Sequence, residues 1–143
     1  MGELIGFPEW AVLSGCIALG ILAFALWRWG NTKRQVERTL AKRANPTHEE
    51  FLALIGQDVS PAVSEFLWER ALDALSVHAS QITPHPDDHL IDDLPINDDE
   101  WSLDWPFLWA ENCGFPEKNL PDWPADWPAT IRHFGRWLDL GPE

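Results

Sequence analysis

Four side chains in one short stretch are of types that could do chemistry: His85, Asp87, Asp88 and His89. Imidazole and carboxylate together could hold a metal ion. Their spacing matches no structural zinc pattern, and no cysteine joins them. The acidic runs Asp87-Asp88, Asp92-Asp93 and Asp98-Asp99-Glu100 offer oxygen ligands for calcium. They lack the alternating ligands and the glycine of a calcium-binding loop. Solvated loop charge is the better reading of both features. No Ser-His-Asp order, glycine-rich phosphate loop or His-Glu-x-x-His pattern occurs. His48, His78 and His133 are isolated, and His133 reads as a packing or surface residue rather than a base. The expectation is a protein with no catalytic set, no metal and no cofactor.

The element that must position everything else is Trp10–Trp27, WAVLSGCIALGILAFALW, 18 residues without a charge. At about 1.5 Å per residue it spans roughly 27 Å, close to the hydrocarbon thickness of a bilayer. Trp10 at one end, and Trp27 and Trp29 at the other, suit the two headgroup levels, with Arg28 beside them. The segment before it carries Glu3 and Glu9 and no basic residue, and RWGNTKRQ follows it. Neither flank fits a cleaved signal peptide, so the span reads as a retained anchor. Arg28, Lys33, Arg34, Arg38, Lys42 and Arg43 all lie on its C-terminal side. That bias predicts an outside N-terminus and a cytoplasmic C-terminal domain, single-pass in a bacterial inner membrane. Small residues recur along the span, Ala11 with Gly15 and Cys16 with Gly20, a row against which a second helix could pack closely.

Charge is segregated along the chain. Residues 1–44 hold six basic and three acidic groups, net +3, so of the total of −13 residues 45–143 carry −16. A domain that acidic is not a nucleic-acid binder and is repelled by an anionic leaflet; basic protein surfaces are its natural partners. The expected organisation is an extracytoplasmic N-terminus and transmembrane helix over 1–29, a basic juxtamembrane linker or helical continuation over 30–46, and an acidic cytoplasmic domain over 47–143. Cys16 and Cys113 fall in different regions and read as small apolar fillers.

Within the domain, Thr47-His48-Glu49-Glu50 is a capping box opening a helix that stops near Gly56. Ser60-Pro61 opens a second helix running to about Ser76, with Val63, Phe66, Leu67, Ala71, Ala74 and Leu75 on one stripe. Residues 80–97 form a long Asp/Pro loop pinned by Ile82, Leu90, Ile91, Leu94 and Ile96. A helical stretch follows from Asp98–Trp101 to about Gly114, and a last helix carries Ile131, Phe134, Trp137 and Leu138 on one face. The tripeptide Asp-Trp-Pro occurs at 104–106, 122–124 and 126–128. Asp caps helices and Pro is tolerated in their first turn, so Asp104 and Asp126 are expected to open helices. Core packing with rim exposure accounts for most of the tryptophans. The functional alternative is a contact patch formed from Trp101, Trp105, Trp109, Trp123 and Trp127 beside Asp98 and Asp99, since tryptophan is enriched at interface hot spots.

A helix, a loop ending in Ile-Asp-Asp-Leu, a second helix and a short last helix resemble an acyl carrier protein over roughly residues 58–140, the loop match being ITPHPDDHLIDDL at 82–94. Such carriers bear phosphopantetheine on the serine of an Asp-Ser-Leu motif. The family's spacing from Asp93-Leu94 puts Asn97, Asp98 and Asp99 there, so the serine is absent. The chain is more similar to a carrier-like bacterial family of unknown function with acidic residues at that point. Ser102-Leu103-Asp104 lies four residues too late and follows Trp101. The expected fold is all-α: one transmembrane helix, then a small acyl-carrier-like bundle with a long Asp/Pro loop. The expected role is a non-catalytic accessory or adaptor docked to a larger membrane protein or complex. The alternative is a membrane-tethered acyl carrier modified at Ser102.

Overall fold

The computed structural model describes residues 8–142, with the side chain of His78 left out. Glu3 lies outside the described residues. The described residues are all-α, with five α-helices in the order α1 (Glu9–Lys42), α2 (His48–Ile55), α3 (Pro61–His78), α4 (Trp105–Cys113) and α5 (Ile131–Asp139). It divides into two units between Arg34 and Gln35.

In the first unit the helix turns its large apolar side chains outward on every face: Trp10, Leu13, Ile17, Leu22, Phe24 and Trp27 are all exposed. α1 is long and apolar enough to cross a membrane. Its apolar window buries nothing within the chain. Gly15 and Gly20 have open space where a Cβ would stand, and Ala11 is partly covered. The Arg28 guanidinium lies 5.9 Å from the Phe24 ring centre. Trp29 is exposed as well.

The second unit begins at Gln35, so part of the stretch read as a linker belongs to the folded domain. Val36 and Thr39 are each only 1% exposed. A solvated linker buries nothing; these two residues enter the core on the inner face of the helix, which the mixed polar pattern RQVERTLAKR hides.

α2 starts as its capping box requires, with Thr47 Oγ1 accepting from Glu50 N–H at 3.2 Å. α3 starts at Pro61 behind Ser60, whose hydroxyl accepts from Val63 N–H. The Asp139 carboxylate at the end of α5 accepts from Ser60 N–H at 2.7 Å and from Ser60 Oγ at 2.6 Å, so the two helix ends hold one another. α5 packs closely on α3 because residue 135 is glycine. A Cβ there would stand 2.9 Å from Leu67 Cδ1 and 3.0 Å from Val59. The core gathers Phe51, Val63, Leu67, Leu75, Leu90, Ile131, Phe134 and Leu138. The stripes read on α3 and α5 are its two walls.

The 80–97 loop is pinned by Ile82, Leu90, Leu94 and Ile96, all buried; Ile91 is the exception, 51% exposed. Its middle pairs with the entry to α5 through an isolated antiparallel bridge between His89 and Thr130. Leu90 N–H donates to Ala129 O, and Ile131 N–H to Asp88 O.

Two capping expectations fail. Asp104 has helical φ and ψ and makes no side-chain cap bond. A π-helical turn, Glu100–Asp104, runs straight into α4, so the helical stretch starts earlier, behind Asn97, whose Oδ1 accepts from Asp99 N–H at 3.0 Å. Asp126 opens no helix either. Thr130 caps α5, accepting from His133 N–H at 3.1 Å. Gly114, with φ of 80°, closes α4 in the left-handed conformation that glycine adopts without a steric cost. Cys113 at that end is exposed, so it is not an apolar filler.

Candidate functional site

The acidic stretch is solvated charge at Asp98 and Asp99 and only in part at the two Asp pairs before them. Each Asp pair sends one carboxylate out and one in. Asp87 and Asp92 have side chains 65% and 75% exposed, whereas Asp88 and Asp93 are at 3% and 14%. The inward members meet α1 and the residue that follows it. Arg43 donates to both oxygens of Asp88, Nε to Oδ1 at 3.0 Å and Nη2 to Oδ2, in a buried two-pronged pair. Nη2 also donates to Thr83 O at 2.8 Å. Lys42 pairs with Asp93, and Thr39 Oγ1 donates to Asp93 O. Gln35 Nε2 lies within hydrogen-bond distance of three loop carbonyls, Ile91, Asp92 and Leu94, at 3.0 to 3.2 Å.

The metal reading of this loop meets a physical obstacle. Asp88 spends its oxygens on Arg43 and on His85 N–H. His85 Nδ1 accepts from Asp87 N–H, and His89 Nδ1 from Ile91 N–H. Among the described residues no three His, Cys, Asp or Glu side chains converge as metal ligands. Burial pushes the Asp93 carboxyl up. The hydrogen bond from His89 N–H and the Lys42 ammonium outweigh this and hold it below its ordinary 3.8.

The tryptophans gather around one ring, Phe134 on α5. Trp137, Trp105, Trp123 and Trp101 have ring centres 5.5, 5.8, 6.2 and 6.4 Å from it. Those separations fit edge-to-face and tilted aromatic contacts. Trp105 is 3% exposed and belongs to the core, so it is no surface contact residue. Trp101, Trp123 and Trp127 are half-buried around it. Trp127 is joined by Trp123 at 6.1 Å and covered by the Arg136 guanidinium at 4.7 Å. Trp109 stands apart, packed on Phe66 of α3 at 5.2 Å. Asp98 and Asp99 are exposed at the start of the helical stretch that carries Trp101.

A cavity of about 280 Å³ opens within this cluster, walled by Trp101, Pro106, Trp123, Ala129, Phe134 and Trp137, with Ser102 its one hydroxyl. The π-helical turn supplies Trp101 and Ser102 together. Ser102 is exposed, and its Oγ donates to Asp98 O in the turn before it, so it sits inside the helical stretch rather than at its start. Trp123 Nε1 donates to Trp127 O at 3.2 Å, and Trp137 Nε1 to Pro121 O at 2.8 Å. Trp101 Nε1 is buried without a partner, the one such side-chain atom found among the described residues. An unpaired buried donor costs about 1–3 kcal/mol. Beside the cluster, His133 lies with Nδ1 2.7 Å from Thr130 Oγ1. Burial lowers its pKa below the ordinary 6.5, and the neighbouring Arg136 and Arg132 add to that.

Of the cavity's walls, the sequence analysis names Trp101 and Trp123 as contact residues and not Phe134, Trp137, Pro106 or Ala129; Trp127 is outside the lining. The α5 face already carried Phe134 and Trp137; nothing in the spacing joined that face to residue 101. No family model, curated protein or solved structure matches the chain. The all-α class therefore rests on the helices themselves, and the resemblance to acyl carriers gains nothing from these comparisons.

Proposed function

We propose that this chain is a non-catalytic, single-span accessory protein of a bacterial inner membrane. Its N-terminus faces outward, and its acidic, tryptophan-bearing cytoplasmic domain binds a basic surface on a larger membrane protein or complex. The observation that carries the reading is the pairing of opposites in one chain: an uncharged span, Trp10–Trp27, whose large apolar side chains face outward, and residues 45–143 with a net charge of −16.

Orientation is argued from Arg28, Lys33, Arg34 and Arg38, the basic residues that follow the span and make no ion pair among the described residues. The docking face is argued from the half-buried Trp101, Trp123 and Trp127 with the exposed Asp98 and Asp99 nearby in sequence. Aromatic anchors supply contact area, and the surrounding acids supply attraction and orientation.

The test is affinity purification of the tagged full-length chain at native expression, in mild detergent. A membrane protein with a basic cytoplasmic surface is expected to accompany it. That partner is expected to leave at high salt and to be lost from an Asp98→Lys, Asp99→Lys variant. Recovery of the chain alone overturns the reading.

A further inference from the structure

Resting on the accessory role proposed above, we infer that the outer face of the helical stretch from Glu100 to Glu111 docks a basic amphipathic helix of the partner protein. That face is apolar at its centre and acidic along its edge.

Leu103 and Phe107 are 57% and 53% exposed. They stand four residues apart where the π-helical turn runs into α4, a spacing of one turn that sets them one above the other. Trp105, Pro106 and Ala110 of the same stretch are buried. The helix is therefore held to the domain by its other side and leaves this one outward. Glu100, Asp104 and Glu111 follow one another at spacings of four and seven, so the three carboxylates run beside the apolar pair. None of the three forms an ion pair among the described residues. No lysine or arginine occurs in the chain between Arg70 and Lys118, so this length of sequence supplies no counter-charge of its own.

Charge selects the occupant. A second copy of the face would bring carboxylates against carboxylates. An anionic leaflet would be repelled for the same reason. A helix with apolar residues at spacings of three and four, flanked by Lys or Arg, answers both features at once. Its apolar stripe covers Leu103 and Phe107, and its cations meet the acids. At about 1.5 Å per residue the face is roughly 16 Å long, so about three turns of the partner cover it.

The experiment places the photo-crosslinker benzoylphenylalanine in the full-length chain, in place of Leu103, Phe107 or Val77, in the cells that make it and at native expression. Val77, 73% exposed on α3, is the control. Crosslinked peptides are sequenced by mass spectrometry. Positions 103 and 107 are expected to crosslink at least tenfold more than position 77. Their target is expected to be a segment of net positive charge with an apolar stripe of helical period. Asp104→Lys with Glu111→Lys is expected to lower the yield from position 107 at least fivefold. Thermal unfolding is expected to stay unchanged in that variant, because both residues are exposed. Any of four results overturns the inference: a yield no higher than at position 77, a crosslink to a second copy or to lipid, an acidic or neutral target segment, or a yield that survives the charge reversal. Where the tagged chain still carries a basic-surfaced membrane protein through purification, such a result removes this face and leaves the accessory role standing. Recovery of the chain alone removes both.

Discussion

The clamp between α1 and the 80–97 loop and the aromatic cluster around Phe134 are built on opposite terms. In the clamp, polar groups are answered from within. Arg43 meets both oxygens of Asp88, Lys42 meets Asp93, and Gln35 reaches three carbonyls. In the cluster the walls are apolar, and one buried donor, Trp101 Nε1–H, has no acceptor. In the clamp the inward charges are spent on one another, and in the cluster the contacts are between aromatic faces and edges. The acid-rich loop, which invites a metal reading from its composition, holds α1 through its inward carboxylates, while the half-buried tryptophans are where the proposed docking face lies.

Breaking the clamp gives the largest expected effect. Arg43→Ala strands the Asp88 carboxylate in a site only 3% exposed, and removing one partner of a buried pair costs about 3–5 kcal/mol. Urea unfolding of the full-length chain in detergent, read by tryptophan fluorescence, measures it. An Arg43→Met, Asp88→Leu double variant is expected to recover most of the loss, because it leaves no charge unpaired. A cost below about 1 kcal/mol for Arg43→Ala would mean that the pair holds nothing.

A smaller effect separates the two regions by pH. Burial, with Arg136 and Arg132 nearby, lowers the His133 pKa in the folded chain, so folding favours its neutral form. Its contribution is complete above the ordinary 6.5 and is lost as pH falls from there toward the folded value. Asp93 is likewise depressed, because the His89 N–H bond and Lys42 outweigh burial. Its contribution is complete above 3.8 and disappears as pH falls through the folded value. Thermal unfolding against pH is expected to show an upper loss that His133→Phe removes and a lower one that Asp93→Asn removes. A single transition unaffected by either variant would contradict the division.

Much of the helical framework was legible in the residues. Thr47 with Glu50, Ser60 with Pro61 and the apolar stripes of α3 and α5 are local signals, and local signals survive folding. What was hidden depends on residues far apart. Val36 and Thr39 look like part of a basic linker until the 88–94 segment lies over them. Asp88 and Asp92 look alike in a run of acids, and only the arrival of Arg43 distinguishes them. Asp104 is a sound cap by type, but the helix had already begun behind Asn97, so the cap had nothing left to do. The cavity joins residues 101–106 to 123–137, a separation that no periodicity bridges.

The same contrast holds between the two units. Large apolar side chains are exposed all along the first, whereas the second gathers most of its own into a buried core. Water does not tolerate so continuous an apolar surface, and the proposed role depends on lipid covering it. The direct measurement is membrane extraction of the full-length chain combined with protease treatment of intact and lysed spheroplasts, with a tag at each end. The account predicts that the chain stays with the membrane through a high-pH wash, that the N-terminal tag is cut on intact spheroplasts, and that the C-terminal tag is cut only after lysis. A chain recovered in solution without detergent, or a C-terminal tag cut on intact spheroplasts, would contradict it.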